Sequence, residues 1–372
     1  MSSRTGFRLI QLGAILLRAP RLIFKRRQQP QSPKRILVIH QLLLGDALMA
    51  TGLLAHLRDK YPDAEIDVAG PPFLAGLYQS KPYNVSFIGF TPKNWRSFFS
   101  IWKQPNYDLA LPVLDNRFSW TAFAIGARWI KGFANTKTNY KDIPFNELIP
   151  IPNQATSITD MMSLLSGSHS TLTFDPSQWP APQHKTFELP SKPYVVLHLG
   201  ASTPLKFWPS ENWLRLAKGM EKLGFTPVWS AGPNELALVQ AADPCGKFHS
   251  FGGKLDLAQL WHLIENATLL VSPDTGITHI AKHTATPTIA LFGPGSELLA
   301  GRGEFFHDSP YHTLATNIVC RNHHNFFKRD VTWVQHCKHN INTCPHNAEC
   351  IKSLPFDRVY QECCKLLGIP KS

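Results

Sequence analysis

The feature that most constrains this chain is an alternation that runs, stops and starts again. Short runs rich in aliphatic and β-branched residues, RILVIH (35–40), EIDVAG (65–70), NVSFIGF (84–90) and YDLALPV (107–113), are separated by stretches that read as helix. Residues 176 to 193 then carry Pro176, Pro180, Pro182, Pro190 and Pro193, a density that neither a helix nor a central strand tolerates. Beyond it the alternation resumes with YVVLHLG (194–200), a helix over 210–224, TPVWSAG (226–232), a helix over 257–266, and strands at 269–272 and 288–292. Strands alternating with helices predict parallel sheets covered on both faces. The expected organisation is therefore a leader (1–34), a first α/β domain (35–175), a proline-rich linker (176–193), a second α/β domain (194–354) and a terminal amphipathic helix (355–372). Two doubly wound domains joined this way leave a cleft that suits joining two substrates, and residues 134 to 155 read as irregular, acceptor-binding loops.

Charge is concentrated at one end. The formal balance is +12, yet the first 35 residues hold nine Lys or Arg and no acid, which leaves about +3 for the remainder. The leader is too short and too charged to span a bilayer and lacks a cleavage site. Phe7, Ile10, Ala14 and Leu17 recur at helical steps, with Arg4, Arg8, Arg18, Arg21, Lys25, Arg26 and Arg27 placed to meet anionic headgroups, so an interfacial helix on a membrane surface is expected. A disordered basic tail is the plainer reading. No recognised motif supports nucleic acid as a partner. Seven cysteines are too sparse for a secreted disulfide scaffold, which favours a cytoplasmic location. Six of them, Cys320, Cys337, Cys344, Cys350, Cys363 and Cys364, lie late in the chain among histidines. Zinc is one reading, but no tight Cys-x-x-Cys pair occurs, and free thiols are the other.

The segment VSPDTGITHIAKHTATPTIALFGP (271–294) reads as a strand, a turn, two helical turns from Gly276 to His283 and a second strand. Asp274, Thr275 and Gly276 fall where the first strand ends and the helix begins. In an open parallel sheet this is the ligand crevice, and unpaired amides at the positive end of a helix attract phosphate. HLGASTPLKFWP (198–209) ends the second domain's first strand, where Lys206 offers a charge to a diphosphate and Ser202 and Thr203 offer hydroxyls. Neither G-x-G-x-x-G nor G-x-x-x-x-G-K-S/T is present, so dinucleotide dehydrogenases and P-loop NTPases lose their usual support. Taken singly, Asp274 is a helix cap, His279 a packed helix residue and Lys206 a solvated lysine; their occurrence together at adjacent strand ends favours a site.

With ILVIHQLLLGDALMATGLLAHLRDKYPDAEIDV near the start, GASTPLKFWPSENW and AGPNE in the middle and SPDTGITHIAKHTATPTIALFGP later, the chain resembles the bacterial lipopolysaccharide heptosyltransferases over about residues 35 to 300. The resemblance implies the GT-B architecture, two Rossmann-like domains facing a cleft, with ADP-heptose held by the second and an acceptor, Kdo-lipid A or core oligosaccharide, by the first. It also implies inversion at the sugar carbon with no cofactor and no obligatory metal, at the cytoplasmic face of the inner membrane. Asp46 falls where the family has its general base, Lys206 matches the diphosphate lysine, and Glu235 matches the position that grips the ribose. Thr275 and Gly276 would bind the diphosphate through their amides, with His279 nearby, while Asp274 would face sugar hydroxyls or Lys206. The alternative roles are an N-cap for Asp46 and an exposed loop carboxylate for Glu235. LLLGD lacks the hydroxyl that many relatives carry before Gly-Asp. Transfer of another nucleotide sugar, or a catalytically silent partner of the assembly enzymes, stays open at this level.

Overall fold

Two parallel sheets of six strands organise the computed structural model, which describes residues 3–20, 28–104, 106–190, 193–318 and 320–370. The first contains β1 (Arg35–Ile39), β2 (Glu65–Gly70), β3 (Val85–Gly89), β4 (Leu109–Pro112), β5 (Trp129–Phe133) and β6 (Glu147–Ile149) in the order 3-2-1-4-5-6. The second contains β7 (Tyr194–His198), β8 (Thr226–Ser230), β9 (His249–Ser250), β10 (Leu269–Pro273), β11 (Thr288–Phe292) and β12 (Tyr311–Ala315) in the order 9-8-7-10-11-12. The two orders are the same. In each, the winding reverses beside the first strand, between β1 and β4 and between β7 and β10. Crevices open there, beyond the carboxyl ends of the strands.

Every residue of β7, β10 and β11 is buried, as expected for parallel strands covered on both faces. One apolar core passes between the sheets: Ile36, Leu53 and Leu57 on one side and Trp261, Leu270 and Ile280 on the other belong to a single packed cluster. The proline-rich segment contributes Trp179, 2% exposed, whose ring lies 6.4 Å from that of Trp261 and 4.8 Å from that of His283. It is packed between the lobes as well as connecting them.

Several local expectations shift. The helical stretch between the first two strands is two helices, Leu44–Met49 and Thr51–Lys60, and the first begins before Asp46. The stretch 134–155 is not wholly irregular, because Glu147–Ile149 pairs with Lys131–Phe133 as an edge strand. The leader does form a helix, Ser3–Arg18, but its apolar stripe faces the protein. Phe7 and Ala14 are buried, and Phe7 packs 5.9 Å from Phe90 and 5.7 Å from Phe98, ring to ring. Arg18 sits over Trp102 at 5.0 Å rather than facing outward. Leu17 stays exposed, while residues 21–27, with Arg21, Lys25, Arg26 and Arg27, lie outside the described residues.

A short antiparallel hairpin, Asn325–Phe326 with Arg329–Asp330, reaches from the second lobe to the first. Arg329 is 2% exposed, and its guanidinium donates to the carbonyls of Leu114 at 2.6 Å, Phe133 at 3.0 Å and Ala134 at 2.7 Å and to Oδ1 of Asn116 at 3.0 Å. The Phe133 carbonyl also accepts from Asn116 Nδ2 at 3.0 Å, but those of Leu114 and Ala134 would lose the guanidinium without a replacement. Arg329→Met is therefore expected to lower the unfolding free energy by about 2–4 kcal/mol, read as a shift of the denaturant midpoint.

Candidate active site

The two reversal points face each other across one cleft. A cavity of about 690 Å³ lies there, lined from the first lobe by Gly45 and Asp46 and from the second by Ser202, Lys206, Glu235, Asp274, Thr275, Gly276 and His279. Each lining residue follows the carboxyl end of a strand: Asp46 follows β1, Lys206 β7, Glu235 β8 and Asp274 β10. Residues as distant in the chain as Asp46 and Gly276 thus become neighbours, because parallel sheets deliver all their βα turns to one edge.

Beside the cleft the lobes meet through two glycines. A Cβ placed on Gly45 would stand 2.9 Å from Cδ2 of His279 and 3.2 Å from Cα of Gly276, and one placed on Gly276 would meet Leu44 at 2.8 Å. Only residues without side chains permit this approach. Beside it, Thr51 Oγ1 and His283 Nε2 share a 2.8 Å hydrogen bond across the lobes.

Asp46 lies in the first turn of Leu44–Met49, where the helix dipole favours a carboxylate. Surrounding protein removes enough solvent to outweigh that effect. Burial, reinforced by the nearby Asp274 and opposed by Lys206, raises the Asp46 carboxyl to about 6. Its side chain caps no helix; Leu43 holds the N-cap position, without a side-chain bond. Lys206 donates to the Asp274 carboxylate at 2.9 Å and to its backbone carbonyl at 2.6 Å. Asp274 is thereby turned toward Lys206, and the cap of Gly276–His283 is Thr275, whose hydroxyl accepts the amide of Ile277 at 3.3 Å. His279 is buried with Nδ1 unbonded, and burial holds it well below the usual imidazole range, so the ring is neutral. Glu235 accepts the Gly232 amide at 2.7 Å and closes over Gly200, spanning the ends of β7 and β8. Ser202 stands exposed at the rim, and Thr203 caps the single turn Pro204–Lys206.

All nine residues singled out in the sequence, Thr203 included, therefore line one cavity. Sequence reasoning missed His198, the Pro294–Ser296 turn after β11, and His336, Cys337 and His339, which also line it. The turn after β11 was within reach, since it obeys the same strand-end rule as the others. The late segment was not: it arrives through contacts of Arg321 Nε with the Gly293 carbonyl at 2.9 Å and of the Cys337 amide with the Pro294 carbonyl at 3.0 Å. All seven cysteines are unpaired thiols, and among the described residues no three His, Cys, Asp or Glu side chains stand in a metal-ligating arrangement.

The sequence profile of glycosyltransferase family 9 (heptosyltransferase) matches residues 95–332, well over half of the chain. The chain belongs to this family. It is 23% identical over 278 residues to lipopolysaccharide heptosyltransferase 3 of Escherichia coli, covering 67% of this chain and 80% of that protein. Lipooligosaccharide heptosyltransferase 2 of Haemophilus ducreyi is 26% identical over 294 residues, covering 70% and 84%. The solved structure of E. coli ADP-heptose lps heptosyltransferase II shares the fold, with a TM-score of 0.68 at 20% identity over 90% of this chain and 98% of that one. The glycosyltransferase fold thus places the paired α/β lobes and their cleft in a shared frame.

Asp46 generates a stability prediction. Its folded pKa of about 6 lies above the ordinary carboxyl value of 3.8, so the native state holds a proton that the unfolded chain releases, and stability falls as pH rises between them. Asp46→Asn removes that penalty. Its melting temperature is expected to exceed the wild-type value at pH 8, with the difference shrinking as pH falls through 6 toward 4, followed by scanning calorimetry.

Proposed function

We propose that this glycosyltransferase transfers heptose from ADP-heptose to the inner core of lipopolysaccharide or lipooligosaccharide, with inversion at the sugar carbon. The observation that carries the reading is a cavity joining a carboxylate of raised pKa on one lobe to a lysine and an open helix N-terminus on the other. The names of the similar enzymes supply the sugar and the acceptor class.

In the proposed reaction the acceptor hydroxyl attacks the anomeric carbon as Asp46 takes its proton. The bond between that carbon and the diphosphate oxygen breaks, and the electron pair leaves with ADP. Lys206 and the amides of Thr275 and Gly276 meet the charge that builds on the departing diphosphate, inside a partly desolvated cleft where such contacts are strong. Lys206 is already held by the carboxylate and carbonyl of Asp274, which fix its ammonium at the end of β10 while leaving its third N–H free to donate. Glu235, anchored at Gly232, offers its remaining oxygen lone pairs to ribose hydroxyls. Neutral His279 adds no charge of its own and shapes the contact with Gly45.

An acceptor of this class is lipid-borne. Among the described residues no helix is long and apolar enough to cross a membrane. We place the enzyme peripherally on the anionic, cytoplasmic face of the inner membrane, drawn there by its basic leader.

The test offers purified protein a panel of ADP- and UDP-sugars with truncated Kdo-lipid A acceptors and identifies the product by mass. A heptosylated product only from ADP-heptose is expected; transfer solely from another sugar overturns the donor assignment. Asp46→Asn should keep ADP affinity and lose about 10²–10⁴-fold in kcat, and full turnover in this variant ends the general-base role. The wild-type kcat/KM should decline as the pH drops below about 6 and Asp46 protonates. Lys206→Ala should weaken ADP binding by about tenfold or more in calorimetric titration.

A further inference from the structure

A second cavity, of about 800 Å³, lies away from the cleft, between the leader helix and three loops of the first lobe. Arg8 and Leu12 of the leader form one wall. Arg117, Trp120 and Lys141 form the other, with Phe118 at its base. The loop wall is prebuilt: Trp120 Nε1 donates to the Tyr140 carbonyl at 3.0 Å and Ser119 Oγ to the Lys141 carbonyl at 2.6 Å. The leader wall is held by Phe7 against Phe90 and Phe98 and by Arg18 over Trp102. No carboxylate is among the lining residues. Asp115 ion-pairs with Arg117 from outside the lining, which leaves Arg8 and Lys141 as the less compensated charges.

The outer face of the same helix is apolar. Leu9, Leu12 and Leu16 follow one another at three- and four-residue steps and are 52%, 52% and 65% exposed, with Leu17 at 79% alongside. Trp95 packs against Gly6 and is 40% exposed on that side. An apolar stripe bordered by a cationic groove and by indole and phenol rings is the arrangement of a helix lying in a bilayer interface, with leucines among acyl chains and cations at phosphate depth.

We propose that this groove binds the phosphate headgroups of anionic phospholipids while Leu9, Leu12, Leu16 and Leu17 enter the acyl layer. Charge complementarity selects this occupant over a second copy of the chain, which would bring the same cations to the groove. The lining loops follow β3, β4 and β5 at the edge from which Asp46 projects after β1, so a bilayer seated here lies beside the entrance of the acceptor lobe. The inference gives a place to the peripheral attachment proposed above and rests on that reading of a lipid-borne acceptor for its purpose.

The test is cosedimentation of the full chain with vesicles of phosphatidylcholine, alone or mixed with phosphatidylglycerol. Wild type is expected on the mixed vesicles only. Arg8→Glu/Lys141→Glu and, separately, Leu9→Ser/Leu16→Ser should each lower the partition coefficient by about tenfold or more, with melting temperature unchanged. Arg26→Glu/Arg27→Glu should cost less than the groove pair. Full binding by the groove pair, or loss confined to the Arg26/Arg27 variant, overturns the proposal in favour of diffuse attraction to the basic leader. Should the groove pair misfold, tryptophan quenching by phospholipids brominated in the acyl chain decides on folded protein. Quenching of wild type that is lost in Trp95→Phe/Trp120→Phe supports the site, and an unquenched wild type overturns it. Transfer to a soluble, deacylated acceptor separates the two readings. A chain that binds vesicles without transferring sugar ends the heptosyl reading alone, and one that transfers without binding vesicles ends the groove alone.

Discussion

Leu44 and Gly45 on one lobe meet Gly276 and His279 on the other without room for an added methyl group, and this contact fixes the rest of the molecule. Because the two turns stand at the reversal points of their sheets, bringing them together also brings the open amides of one helix next to the acidic first turn of another. The contact is supported by an apolar core that continues from one sheet to the other and by the hydrogen bond between Thr51 and His283. Trp179 seals the same seam from the connecting segment, and the Arg329 hairpin fastens it from the far side.

That geometry governs the electrostatics. A carboxyl at a helix N-terminus would ordinarily titrate low. Asp46 is pushed up instead, because the opposing lobe displaces its water and brings Asp274 near it. Lys206 limits the rise and is itself tied to Asp274. Asp46 therefore titrates under the influence of two residues of the other lobe, and a change in the separation of the lobes would alter its charge state. Such coupling suits a reaction in which a proton is taken on one side of a sugar while negative charge appears on the other.

Much of this was legible in the chain alone. The strand-helix alternation, its interruption by prolines and the strand-end positions of Asp46, Lys206 and Asp274 follow from periodicity and from rules on where parallel sheets bind ligands. Local details fared less well. Asp274 and Asp46 both stood where caps are common, yet Thr275 and Leu43 take those positions, since capping depends on which residue adopts extended backbone at the helix start. The leader shows the limit most clearly. Its period revealed an amphipathic helix, but the stripe of Phe7 and Ala14 met the first lobe, leaving Leu9, Leu12 and Leu16 to solvent. A helical period shows that apolar residues share a face without saying whether protein or lipid lies against it.

By itself, then, the sequence determined the two α/β lobes, their parallel sheets and the residue types available at each strand end, because these depend on contacts within a few turns of chain. Tertiary structure decided the raised pKa of Asp46, the pairing of Lys206 with Asp274 and the entry of the 320–350 segment into the cavity wall. It also decided which side of the leader is buried. Each of these depends on desolvation or close approach between residues far apart in the chain, and neither quantity exists until the lobes have packed.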